Sequence, residues 1–233
     1  MKKRLEFVES ELIRMKNIYK DRNIPDFIYL QSLRDLDYRY DRFEKKHGYR
    51  GLSEWDLKWL EDVFDGKFFD IGHLRFQIFT MNHALIERSD YDYMPLSESI
   101  KNRFPEGRHY INIHIVQGAS LDPDGLDETF KEARSFFQDY FSDYDFEYFI
   151  CRTWLLDESL KNILNPDSKI LAFADRFEIL TRNFHKGHPL LRIYNSDNLD
   201  EIKAMEHKTS LEKKAYLHAD QLGVSFGCIP FKQ

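Results

Sequence analysis

Nine histidines occur in these 233 residues, and His114 is the one whose surroundings suit proton transfer. It sits near the carboxyl end of the run INIHIV, where Ile111, Ile113 and Ile115 alternate with Asn112, His114 and Val116. A period of two marks a strand with two unlike faces. An imidazole at the end of such a strand titrates in the range a general base needs. A strand histidine hydrogen-bonded beneath a covering helix would read the same way. Directly after it, Val116, Gln117, Gly118, Ala119 and Ser120 lead through a turn into an amphipathic helix. Backbone N–H groups converge at such a junction and can hold a phosphate or polarise a carbonyl. An ordinary strand-to-helix turn is built from the same residues. Arg152 ends the next apolar run, FEYFICR, and Thr153 follows it.

Other chemistry has little support. Cys151 and Cys228 are too few for a disulfide framework, and both lie in apolar, strand-like runs that favour inert thiols. His185 and His188 form an H-x-x-H pair with no third ligand beside them, so no metal is expected. Neither Ser120 nor Cys151 comes with a nucleophile motif. His73 and Arg75 occupy the polar face of a strand, facing either an acidic ligand group or solvent. Trp154 reads as core packing and Asp157 as the cap of a short helix.

The elements that must position these residues follow from periodicity. Leu5, Val8, Leu12, Met15 and Tyr19 recur at spacings of three and four, the stripe of a helix ended by Pro25. Leu33, Leu36, Tyr40 and Phe43 draw a second helix that stops at Gly48. A third opens at Ser53, with Asp56 answering three residues later, and stops at Gly66. From Lys67 the period changes to two, and 68–80 reads as one strand. Residues 81–107 are a turn-rich connection with a short helix near 97–104. The strand at 110–116 leads by Gly118 and DPDG (122–125) to a helix at 125–141, then to a strand at 146–152, a short helix within 154–164 and a third strand at 169–180. Loops fill 181–208. Thr209 caps a last helix, and VSFGCIPF is a terminal strand. The expectation is an α/β chain: a helical bundle over 1–66, then a domain over 67–233 whose sheet is mixed, partly parallel and flanked by helices.

Composition narrows the partners. A net charge of −6 with acids and bases interspersed leaves no footprint for nucleic acid. No run approaches the roughly 20 apolar residues of a membrane span. Glu6, Glu9 and Glu11 interrupt the segment after the basic MKKR, so it is no secretory leader, and the chain reads as cytoplasmic. The helical part offers a surface on which two copies could pair as a homodimer.

Several phrases together resemble proteins that join a helical N-terminal domain to an acyltransferase domain of the GNAT superfamily. They are GLSEWDLKWLEDVFDGKFFDIGHLRFQ (51–77), INIHIVQGASLDPDGLDETFKEARSFF (111–137), CRTWLLDESLKNIL (151–164), SKILAFADRFEIL (168–180) and TSLEKKAYLHADQLGVSFGCIPF (209–231). The resemblance implies a GNAT-like fold in which acetyl-CoA or another acyl-CoA lies between two parallel strands and gives its acyl group to an amine. His114 would take the amine's proton. Val116, Gln117, Gly118, Ala119, Ser120, Arg152 and Thr153 would bind the donor, with the pyrophosphate at the 117–124 loop. Members of that superfamily usually carry a basic, glycine-rich loop there and often a tyrosine that protonates the leaving thiolate. Here the loop holds Asp122 and Asp124, with Asp127 and Glu128 just beyond, and no tyrosine lies in 157–164. A non-catalytic module of the same fold, binding a small ligand or a partner, is the alternative.

Overall fold

The computed structural model of the chain describes residues 2–87, 94–116 and 118–232. Helices α1 (Lys2–Asp21), α2 (Asp26–Ser32), α3 (Arg34–His47) and α4 (Glu54–Phe64) come first, followed by strands β1 (Phe68–Ile71) and β2 (Leu74–Thr80). Short helices α5 (His83–Ile86) and α6 (Glu98–Arg103) lead to β3 (His109–His114), the long α7 (Pro123–Tyr140) and β4 (Tyr148–Thr153). Then come α8 (Leu160–Ile163), α9 (Lys169–Ala174), β5 (Glu178–Asn183), α10 (Gly187–Tyr194), α11 (Leu199–Ala204), α12 (Ser210–Leu217) and β6 (Val224–Pro230). Among the described residues the strands form one six-stranded sheet in the order β1-β2-β3-β4-β6-β5. The β3/β4 pair is parallel, and β1/β2, β4/β6 and β5/β6 are antiparallel. Helices before and around a mixed, partly parallel sheet are the α/β class expected from sequence.

The chain divides into two compact units. One comprises 1–78, 114–119 and 125–145. In it Val8, Met15 and Tyr19 carry the buried stripe of α1, and the Tyr19 and Ser32 hydroxyls both donate to the Phe68 carbonyl at 3.2 Å. The Ser53 box forms as expected, with Ser53 Oγ accepting from Asp56 N–H and the Asp56 carboxylate accepting from Ser53 N–H. On α7, Phe130, Phe136 and Phe137 are buried. Phe69 packs on Phe136 and Phe137 with ring centroids at 4.8 and 5.8 Å, and Phe76 on Phe130 at 6.4 Å. The other unit comprises 79–113, 120–124 and 146–233. Its core joins Tyr110, Ile150, Val224 and Phe226 on one side and Leu160, Leu171, Leu190 and Leu222 on another.

Four sequence expectations are corrected. Residues 68–80 are a hairpin: Gly72 at φ +55 opens a two-residue turn that sets Ile71 opposite Leu74. The strand at 169–180 is a helix and a later strand. Ser168 caps α9 by accepting from Ile170 N–H, and β5 starts only at Glu178. An unbroken apolar run suits helix and strand equally, and the cap decides. DPDG is not all turn, because Pro123 is the first residue of α7, where its missing N–H costs nothing. Two helices, α10 and α11, occupy part of the stretch read as loops, the second capped by Asn198.

Candidate active site

The parallel pair is the first element of the site. Its register joins Ile111 to Phe149 and Asn112 to Ile150 and goes no further. On its other edge β4 stays paired with β6 from Tyr148 through Thr153. β4 thus stays paired on that edge while its pairing with β3 ends after two residue pairs. Where the strands part, the buried Cys151 donates a weak hydrogen bond to the Ile113 carbonyl at 3.4 Å. Burial pushes the Cys151 thiol well above its usual range, against the pull of Arg152, so it is a packing group there and no nucleophile.

The loop after β3 turns at Gly118, whose φ of +82 favours glycine. Ala119 N–H donates to the Val116 carbonyl at 3.0 Å, and Ser120 Oγ accepts from Asp122 N–H at 3.3 Å. Val116, Gly118 and Ser120 are exposed and Ala119 is half-buried, while Gln117 lies outside the described residues. Basic groups reach the end of the loop from α9 and its exit, a feature the sequence reading did not contain. Lys169 Nζ pairs with Asp122 at 2.9 Å, and the Arg176 guanidinium donates to the Pro123 carbonyl at 3.0 Å. The basic residues nearer in sequence have other partners. Arg108 pairs with Glu147 at 2.7 Å, Lys131 with Glu128 at 3.4 Å on the same helix, and Arg152 donates to the Leu85 carbonyl at 3.5 Å. Thr153 is buried, and its hydroxyl accepts from Leu155 N–H at 3.3 Å, which starts the 3-10 turn Trp154–Leu156.

His73 lies against the start of α7: a Cβ placed on Gly125 would come within 2.7 Å of His73 Nε2. Arg75 does not face solvent. It is buried and bound to Asp70 and Asp35. Ser159 is the residue before α8 and makes no side-chain cap bond, while Asp157 Oδ1 accepts from Ser159 N–H at 3.1 Å. The Asp157 carboxylate is also buried and accepts from Arg182 Nε and Nη2 at 2.5 and 2.6 Å.

His114 ends β3 in a half-buried position. Its ring meets Trp59 edge-on at 5.5 Å and Phe68 at 5.1 Å. Its Nε2 lies 2.9 Å from Gln77 Oε1, and Gln77 Nε2 donates to Asp62 at 2.9 Å. Asp62 pairs with Lys67 at 2.8 Å, and Lys67 also reaches Asp65 at 3.1 Å. Burial pulls the Lys67 ammonium down, but hydrogen bonds to Asp62 and Asp65 outweigh it and leave its pKa raised. On the far side of the Trp59 ring, Nε1–H donates to Asp35 at 3.0 Å, and the Arg39 guanidinium lies 5.0 Å from the ring centre. Of the groups around His114, Gln77 comes from β2. Trp59 and Asp62 come from α4, some fifty residues away, and carry no local signal.

The family described as GNAT-like C-terminal domain matches residues 68–226. A comparison with proteins of curated function finds no match. Among solved structures, the chain is similar to an acyltransferase in complex with decanoyl-CoA and teicoplanin, at 19% identity and a TM-score of 0.73, covering 95% of this chain and 64% of that one. It is also similar to an acyltransferase in complex with decanoyl-CoA, at 20% identity and a TM-score of 0.72, covering 94% and 62%. A mutant acyltransferase in complex with octanoyl-CoA matches at 19% identity and a TM-score of 0.71, covering 94% and 63%. The chain therefore spans just under two thirds of the length of these proteins, and the likeness at this identity is one of fold. Among the described residues no helix is long and apolar enough to cross a membrane, and no cluster of three metal-ligating side chains occurs.

Proposed function

Because the chain belongs to the GNAT-like C-terminal domain family, we propose that it is an N-acyltransferase that takes an acyl group from acyl-coenzyme A and passes it to an amine. The observation that carries this reading is the parting of β3 from β4 after Asn112 while β4 remains paired with β6. Parted strands bring backbone donors and acceptors within reach of a ligand, and the amide-bearing arm of coenzyme A is suited to extend such an edge. Val116, Gln117, Gly118, Ala119, Ser120, Arg152 and Thr153 are assigned to donor binding. Lys169 and Arg176 offset the acid of the loop at Asp122 and Pro123. In the reaction the amine nitrogen bonds to the thioester carbonyl carbon and the C–S bond breaks. The amine's proton passes to His114 and then to solvent. Coenzyme A leaves as a thiolate, which solvent protonates; a thiol of ordinary pKa leaves without a dedicated acid. Holding thioester and amine together supplies most of the rate.

The second reading, a module that binds and does not transfer, is favoured by Asp122, Asp124, Asp127 and Glu128 around a site meant for an anion. The experiment that separates the two supplies decanoyl-CoA with a panel of primary amines that includes teicoplanin. Coenzyme A release is followed with a thiol reagent and the product by mass spectrometry. An acylated amine that disappears in a folded His114→Ala variant supports the enzyme. Decanoyl-CoA that binds and acylates nothing supports the module.

A further inference from the structure

We propose that Gln77, anchored by Asp62, is a positioning residue that fixes the tautomer of His114, a role that rests on His114 being the base. Asp62 is paired with Lys67 at 2.8 Å, so it is an ionised carboxylate and only accepts. The Gln77 amide must therefore turn its NH₂ toward Asp62, where the distance is 2.9 Å, and its oxygen toward His114. An amide oxygen accepts and cannot donate, so His114 Nε2, 2.9 Å away, carries the hydrogen. In the neutral ring the lone pair then sits on Nδ1, which becomes the basic nitrogen. Trp59 and Phe68 limit the ring's rotation by contact at 5.5 and 5.1 Å. Gln77 is itself buried, so water does not compete for its amide. A partner on the second nitrogen commonly sets which nitrogen of a histidine does chemistry.

The charged groups around this chain of bonds are Asp62, Lys67 and Asp65 on one side of the imidazole. On the Trp59 side they are Asp35 and Arg39. Gln77→Leu removes the acceptor while keeping a buried side chain of similar length. Gln77→Glu places a carboxylate beside Nε2. Nitrogen-15 NMR of the imidazoles reads the tautomer without any substrate. The neutral wild-type ring is expected to be almost wholly in the Nε2–H form, and Gln77→Leu to give a mixture of both forms. In decanoyl-CoA turnover, Gln77→Leu is expected to lower kcat about 10-fold or more with KM for decanoyl-CoA unchanged, as supporting partners of functional histidines do. Gln77→Glu is expected to move the acid limb of the pH profile upward, because a carboxylate favours the imidazolium. An Nδ1–H ring in the wild type, or a tautomer unaltered in Gln77→Leu, would overturn the proposal. Full activity of His114→Ala would defeat the base reading alone and leave the tautomer result standing.

Discussion

Removing the carboxylate of Asp35 should unfold more of this protein than any surface change, because two buried guanidiniums depend on it. Asp35 Oδ2 accepts from Arg39 Nε at 2.7 Å and from Trp59 Nε1 at 3.0 Å, and Oδ1 pairs with Arg75 at 2.8 Å. Arg39 and Arg75 are 6% and 5% exposed, so neither can turn to water when its partner goes. Breaking a buried pair from one side costs about 3–5 kcal/mol. Arg39 keeps Asp56 at 2.9 Å and Arg75 keeps Asp70, which places Asp35→Ala at the lower end, about 3 kcal/mol. For a chain of this size that is roughly 6–12 °C in Tm. The effect has a pH signature. Burial raises the Asp35 pKa, but Arg75 and then Arg39 outweigh it and hold the carboxyl below its usual range. A folded value below the unfolded one means stability that is present above about pH 4 and lost as pH falls through the folded value. Calorimetric melts should show the full gap between wild type and Asp35→Ala at pH 7, narrowing in acid. A loss under about 1 kcal/mol at pH 7 would mean that the guanidiniums are hydrated and the network argument is wrong. A gap that stays constant down to pH 3 would refute the linkage.

Three further outcomes follow from single contacts. Gly72→Ala should cost about 1–3 kcal/mol, because φ is +55 and the new Cβ would sit 2.3 Å from Thr129 Oγ1; an unchanged urea midpoint would contradict the turn. Phe137→Ala should cost about 3–5 kcal/mol, since its ring is 1% exposed and packs on Phe69, Phe76, Phe136 and Phe141; a loss below 1 kcal/mol in urea titration would deny that packing. Neither thiol should react with iodoacetamide at pH 8 in the folded protein, because burial pushes Cys151 up and lifts Cys228 to about 11; rapid labelling of either would contradict the core as described.

What could be read in the chain beforehand was what local rules determine. Ser53 with Asp56, and Thr209 with Glu212, announce helix starts because a capping box is a short-range bond pattern. The stripe Leu126, Phe130, Ala133, Phe137 gives α7 for the same reason. The hairpin at Gly72 has a sign in the sequence: apolar positions are odd at Phe69 and Ile71 and even at Leu74 and Phe76, the shift a two-residue turn produces. Within the strand expected at 169–180, Ile170, Leu171 and Phe173 fit either element, and only the Ser168 cap tells them apart. Asp157 carries a local cap signal, but its pairing with Arg182, 25 residues later, leaves none in the spacing. Around His114, the partner on the preceding strand and the indole from α4 are tertiary facts with no trace in spacing. Lys169 and Arg176 are likewise far in sequence from the loop they serve.

The central claim is that this chain binds an acyl-coenzyme A, and calorimetric titration of the purified protein with decanoyl-CoA, acetyl-CoA and coenzyme A tests it most directly. The account predicts saturable binding of decanoyl-CoA near the micromolar range, about −8 kcal/mol, weakened by Lys169→Glu. No heat from any of the three, with the protein folded, would contradict it.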